Sequence, residues 1–189
     1  SSVGGLKTTM GATWTIGGMV AQTSGVPLKI PIGENSYSAS YGSFLGGAYS
    51  LGDVLEKNGY KQVLMLGSDA KFAGKDLYFK EHGNYEILDY KSAILNGNIS
   101  SDYYVWWGYE DSKLYSYAKE ELTTLASNQQ PFNFTMLTVD THTYGGYLES
   151  TCSNTSSTKI LNVIKCSDKM IYEFVNWIKK QPFYDNTTI

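Results

Sequence analysis

Gln62-Val63-Leu64-Met65-Leu66-Gly67-Ser68-Asp69 decides the fold of this chain. The run that Gln62 opens has strand length and no apolar/polar alternation, the pattern of a parallel strand covered on both faces. It stops in a polar cluster, Gly67-Ser68-Asp69. Farther along, Phe132 to Val139 repeats the pattern and stops in Asp140-Thr141-His142. Amphipathic segments surround both runs. Asp111 to Ser127 carries Leu114, Tyr117, Ala118, Leu122 and Leu125 at helical spacing. Thr158 to Gln181 carries Ile160, Ile164, Ile171, Phe174, Val175 and Ile178, and Pro182 follows where a helix cannot easily continue. Short apolar runs alternating with amphipathic helices predict an α/β layered fold. Such a sheet binds ligands beyond the carboxyl ends of its strands. If the two strands are parallel neighbours, both polar clusters open onto one edge.

The other segments fit the same plan. Thr15 to Thr23 reads as a short helix with Ile16, Met19 and Val20 on one side, ended by Gly25-Val26-Pro27. Residues 29–49, rich in Gly, Ser and Tyr, read as a long surface loop. Ser50 stands where an N-cap belongs, before a helix through Val54, Leu55 and Asn58 that Gly59 closes. Lys75 to His82 predicts a short helix stopped by Gly83, and Tyr85 to Leu88 a short strand. Residues 95–108 read as a loop ending in Trp106-Trp107-Gly108, and residues 143–157 as a second loop.

Composition excludes several classes. With 189 residues, 42% of them hydrophobic and 17% charged, the chain is long enough for one domain with a real core and is not disordered. Its net charge of −3 and lack of a basic run remove the electrostatic footprint of a nucleic-acid binder. All 15 basic residues are lysines, so any anion clamp uses lysine, histidine or backbone N–H groups. The 16 tyrosines suit half-wet surfaces. No stretch is long and apolar enough to span a bilayer, and no leader pattern is visible. The opening Ser1-Ser2-Val3-Gly4-Gly5 and the closing Asp185 to Ile189, read as a strand just starting, are taken as cut ends within a longer protein. Cys152 and Cys166, 14 residues apart, are too few and too widely spaced for zinc. Two readings stand for them, unrelated thiols or a disulfide, and the disulfide implies an oxidising compartment.

Candidate chemistry lies in three places. Thr15 begins a helix, where exposed N–H groups and the helix dipole favour an anion and the alkoxide of a threonine nucleophile; taken alone, the residue reads first as a common N-cap, with Gly17-Gly18 permitting close packing. Asp69 and His142 follow the two strands, and His142 either contacts a ligand or orders its loop. Lys75, near a helix start, either pairs with phosphate or is solvated. His82 reads as a cation at a helix C-terminus. No His, Asp and Glu set has metal-site spacing, and there is no Ser-His-Asp triad or P-loop pattern.

Gly11-Ala12-Thr13-Trp14-Thr15-Ile16-Gly17-Gly18-Met19-Val20-Ala21-Gln22, followed by Gly25-Val26-Pro27-Leu28, resembles the nucleophile segment of bacterial phosphoglycerol transferases. Leu51 to Lys61 and Phe72-Ala73-Gly74-Lys75-Asp76 resemble the segment that follows, Pro131 to His142 the strand with the substrate-site histidine, and Cys166 to Tyr184 the last long helix. The chain is thereby similar to the sulfatase-like domain of lipoteichoic acid synthases and phosphoglycerol transferases, in the alkaline phosphatase superfamily. The resemblance implies a three-layer α/β/α sandwich with a mainly parallel central sheet, incomplete at both ends, formed as one truncated domain over residues 1–189.

What the resemblance implies about activity is specific. Thr15 is expected to attack phosphorus and to touch a divalent metal ion, manganese, magnesium or zinc. Lys75 falls where relatives place a substrate-binding arginine, and the change to lysine loses bidentate phosphate recognition. His142 is expected to contact the glycerol-phosphate group, with Asp69 close to a substrate-site aspartate. The donor would be a phosphoglycerol lipid and the acceptor a glycan or polyglycerol phosphate, at the extracytoplasmic face of a bacterial membrane reached through an upstream region. The other metal ligands are expected outside the chain, so the chain alone is expected to be inactive. Rival readings are a phosphoethanolamine transferase, a phosphodiesterase or a sulfatase of the same superfamily. The formylglycine sulfatase pattern C/S-x-P-x-R is absent from the sequence. A rival from another class is a non-catalytic surface module that presents Tyr and Trp to glycans.

Overall fold

The computed structural model describes residues 7–30, 33, 35–37 and 41–189. The opening Ser1 to Gly5, and part of the loop expected over residues 29–49, lie outside the described residues. Six helices and three strands occur among the rest. They are α1 (Thr15–Ser24), α2 (Leu51–Lys57), β1 (Lys61–Leu66), α3 (Lys75–Glu81), β2 (Glu86–Leu88), α4 (Tyr90–Leu95), α5 (Asp111–Ser127), β3 (Phe132–Leu137) and α6 (Lys159–Ile178). The strands form a parallel sheet in the order β2-β1-β3. Val63 to Leu66 are all buried, as expected of a central strand with helices on its faces. The chain separates into two compact units, residues 1–62 with 70–87, and residues 63–69 with 88–189.

In the first unit, local sequence explains the helix ends. Ser50 caps α2 through a capping box: its hydroxyl accepts the Asp53 N–H at 3.1 Å, and Asp53 accepts the Ser50 N–H at 2.7 Å. α1 ends at Gly25 in the left-handed region, φ 69°. The core is aromatic: Phe44, Tyr78, Phe79 and Tyr85 meet in successive edge-to-face ring contacts, with Ile16, Val20 and Leu28 also buried. His82 does sit at the C-cap of α3. Its ring, however, is buried and bonds elsewhere. Nε2 lies 2.7 Å from the Phe44 carbonyl and Nδ1 3.3 Å from Asp53 Oδ2, so it braces this unit instead of meeting the last carbonyls of α3. Burial works against the Asp53 charge, but hydrogen bonds from Ser50 and His82 outweigh it and hold that carboxyl below its ordinary value.

In the second unit, Met65, Tyr90, Tyr109, Leu114, Tyr115, Leu122, Phe174 and Ile178 build the core, largely between α5 and α6. α6 departs from the sequence reading. Ile164 and Ile171 are exposed, while Val163, Ser167, Phe174 and Ile178 face inward. The reason is Asn162, which is fully buried. It accepts the N–H groups of Thr155 and Ser156 and donates to Asn154 and the Ser156 carbonyl, and this fixes the rotation of the first turn. α4 was not foreseen, although Asp89 and Ser92 form a capping box at its start. Thr187, near which a strand was expected to start, is extended and follows a 3₁₀ turn at Tyr184–Asn186. Cys152 and Cys166 are disulfide-bonded, with Cα atoms 5.6 Å apart, tying the loop after β3 to α6.

Candidate functional site

Thr15 is the first residue of α1 and is exposed. The N-cap position is taken by Trp14, whose side chain makes no capping bond. The amino end of this ten-residue helix therefore lacks the side-chain oxygen that usually satisfies its first N–H groups. Two glycines make the turn possible. A Cβ on Gly17 would meet the Gly11 carbonyl at 2.7 Å and the Trp14 ring at 3.1 Å. Gly11, at φ 83°, leaves no room for a Cβ beside the Leu28 backbone, whose N–H bonds the Gly11 carbonyl at 3.0 Å. Close packing and a helix start without a side-chain cap are thus one arrangement.

Lys75, in the same unit, opens α3 behind two successive left-handed residues, Ala73 and Gly74. It is only 4% exposed. Its ammonium donates to the Phe72 carbonyl at 2.6 Å and lies 5.1 Å from the Phe72 ring centre, so solvation is not its role.

In the second unit, β1 and β3 are adjacent and parallel, so Gly67-Ser68-Asp69 and Asp140-Thr141-His142 leave the sheet at the same edge. Asp69 and His142 are both half-buried there. A tight turn joins the two exits. Val105 and Gly108 exchange backbone hydrogen bonds around Trp106, a left-handed residue at φ 58°, and Gly108 also bridges to Ser68. Trp107 then places its ring 4.7 Å from the His142 imidazole. The sequence reading assigned no role to Trp107, although it marked the Trp106-Trp107-Gly108 corner.

Beneath His142 lies a cluster of acids of which the sequence marks only Asp140, in the Asp140-Thr141-His142 strand exit. Asp111, at the start of α5 and fully buried, accepts the N–H groups of Val139 at 2.8 Å and Asp140 at 3.1 Å. Glu149 accepts the Ser112 N–H at 2.9 Å. Burial pushes the Asp111 carboxyl up to about 6, against the two N–H bonds and with the Glu149 charge adding to the rise. Asp140 is raised further, by burial first and then by Asp111 and Glu149. One sign existed in the sequence, an aspartate at the first turn of a confident helix, but its partners lie 28 and 29 residues away.

Among the described residues no three His, Cys, Asp or Glu side chains gather as metal ligands. Thr15 is one candidate oxygen, and the described residues do not make a seat for the divalent ion that the superfamily's chemistry implies.

The sulfatase family profile matches residues 32–189. This chain belongs to the sulfatase family. Phosphoglycerol transferase I of Xanthomonas campestris pv. campestris (strain B100) is 36% identical over 190 residues, covering 97% of this chain and 27% of that protein. This sulfatase-family chain thus spans about a quarter of the length of the curated relatives it matches. A protein in the alkaline phosphatase superfamily from Vibrio parahaemolyticus superimposes with a TM-score of 0.67 at 26% identity, covering 89% of this chain and 40% of that one. The lipoteichoic acid synthase LtaP from Listeria monocytogenes shares the fold with a TM-score of 0.66 at 21% identity, covering 90% of this chain and 41% of that one. The α/β architecture is that of the alkaline phosphatase superfamily, and the family is one of sulfatase-like and phosphoryl-transferring enzymes.

Proposed function

We propose that this chain is the nucleophile-bearing part of a phosphoglycerol transferase. It would act on a phosphoglycerol lipid headgroup and deliver glycerol phosphate to a hydroxyl of a glycan or polyglycerol phosphate. The observation that carries the reading is Thr15, an exposed hydroxyl at the uncapped amino end of α1, in a chain aligned over 97% of its length with a phosphoglycerol transferase I. In the first step the Thr15 Oγ1–phosphorus bond forms and the bond from phosphorus to the diacylglycerol oxygen breaks; the departing oxygen takes a proton. In the second step an acceptor oxygen bonds phosphorus, the Thr15 Oγ1–phosphorus bond breaks, and the proton lost by the acceptor hydroxyl returns to Thr15. The helix dipole favours the alkoxide and the phosphate oxygens near it. In the second unit, His142 would contact a glycerol-phosphate group, with the Trp107 ring limiting its rotation, and Asp69 would hold a glycerol hydroxyl at the same edge. Lys75 would supply a fixed positive charge.

The disulfide favours an oxidising, extracytoplasmic location. Among the described residues no helix is long and apolar enough to cross a membrane, so membrane attachment would come from elsewhere in the protein.

The test is transfer of labelled glycerol phosphate from phosphatidylglycerol vesicles to a glucan by the intact protein. Thr15→Ala should reduce turnover at least a thousandfold, as expected on loss of a nucleophile. Turnover that survives Thr15→Ala would end the reading. A surface glycan-binding module is the second reading, favoured by Tyr144, which is 92% exposed at a left-handed φ of 69°. On that reading Thr15→Ala leaves glucan retention intact and no transfer is seen in either form.

A further inference from the structure

We propose that Asp140 is a neutral carboxylic acid in the folded protein, that it shares its proton with Glu149, and that this pair is a positioning device for the loop carrying His142. Asp140 is 1% exposed, and neither of its carboxyl oxygens receives a hydrogen bond from a donor group. The group beside it is the Glu149 carboxyl, itself 6% exposed. Two carboxyl groups are both acceptors once ionised, so they bond only through a proton that one of them keeps.

Among the described residues, the charged groups that act on Asp140 are the acids Asp111 and Glu149. The titratable groups that act on the site are Asp111 and Tyr115 from α5, and Glu149 and Tyr147 from the loop after β3. Across from them, Val163 and Ile160 of α6 pack against Gly146. Asp111 cannot help, because its two oxygens are taken by the Val139 and Asp140 N–H groups and its charge adds to the repulsion. An ionised Asp140 would be an uncompensated buried charge, the costliest state available to it. The upward displacement of its titration by burial and by both neighbours agrees with the geometry.

The same contacts bind both ends of the His142 loop. The Tyr147 N–H donates to the Asp140 carbonyl at 2.8 Å, and the His142 N–H to the Val139 carbonyl at 2.9 Å. Glu149 is anchored to the Ser112 N–H, so the shared proton closes the loop onto the first turn of α5. Ionising the pair would set two anions against each other at the base of that loop. The consequence for His142 rests on the proposed role of His142 as a phosphate contact; the proton assignment does not.

The test is a carbon-13 NMR titration of the 189-residue chain with labelled Asp and Glu carboxyls. Asp140 should stay protonated beyond about pH 6, where ordinary aspartates are ionised. Glu149→Gln, which keeps an acceptor but removes the competing charge, should lower the Asp140 midpoint by at least about one unit. Asp140→Asn should leave the His142 ring resonances in place, whereas Asp140→Ala should shift them. Titration of wild-type Asp140 near pH 4 would overturn the proton assignment without needing any variant to fold. His142 resonances displaced equally by Asn and Ala would overturn the positioning role. Loss of the proposed transferase function would show in the vesicle assay and leave the titration unchanged.

Discussion

At the residue scale, what matters is which side chains are free to act and which are committed to the fold. Thr15 is exposed, so Thr15→Ala should change unfolding free energy by no more than about 0.5 kcal/mol. Chemical denaturation then separates loss of turnover from loss of structure. Lys75 is the opposite case. Its buried ammonium is bonded to the Phe72 carbonyl, and Lys75→Ala should cost about 1–3 kcal/mol by the same measurement. A phosphate ligand at Lys75 would have to share the ammonium with Phe72, so this lysine is a poorer phosphate clamp than a free arginine. Thr15 and His142 were legible because each stands at the end of a pattern, a helix start and a strand exit. Asp140 was legible only as part of a polar strand exit, and Asp111 and Glu149 were not legible, because nothing local distinguishes a carboxylate that faces water from one that caps the backbone of a segment 28 residues away.

At the element scale, helix ends were legible and helix rotation was not. Ser50 and Asp53 announce α2 in the sequence, and Ser50→Ala should cost about 1 kcal/mol through the lost capping box. The apolar pattern of α6 puts Ile160, Ile164, Ile171, Phe174, Val175 and Ile178 on its inner face, and of these Phe174 and Ile178 are buried while Ile164 and Ile171 are exposed. The buried Asn162 turns the helix so that Val163 points inward and Ile164 outward. Val163→Ala should therefore destabilise by about 2 kcal/mol and Ile164→Ala by well under 1 kcal/mol, a reversal of what side-chain size alone predicts. Equilibrium unfolding of the two variants decides it.

At the scale of the whole molecule, the covalent link and the acid cluster govern stability. Reduction of Cys152–Cys166 closes no new contact and frees the unfolded chain, so it should cost about 2–4 kcal/mol in denaturation compared with and without reductant. The pH dependence has a definite sign. Asp111 rises from an ordinary 3.8 to about 6, so the folded state holds this proton more tightly than the unfolded state. Its contribution is fully present below about pH 4 and is lost as pH rises through about 6, with Asp140 extending the loss to higher pH. Asp53 acts in the other direction: its contribution is present above the ordinary aspartate value and is lost only as pH falls below it. Unfolding free energy should therefore peak in mildly acidic solution and decline towards pH 9. Asp140→Asn should flatten that decline, and a wild-type profile that rises from pH 5 to 8 would contradict the cluster's energetics.

The sequence by itself determined the class of fold and the places where its chemistry could lie, and it left open whether the two cysteines pair. Hydrophobic period, strand-ending polar clusters and motif order are local or collinear properties, and they survive without coordinates. Only the tertiary structure decided which lysine is buried, which face of α6 is inside, and that Trp107 and three acids surround the His142 loop. Those outcomes depend on which distant segments exclude water from a given side chain, and burial changes the chemistry of a carboxyl or an ammonium more than its place in the chain does.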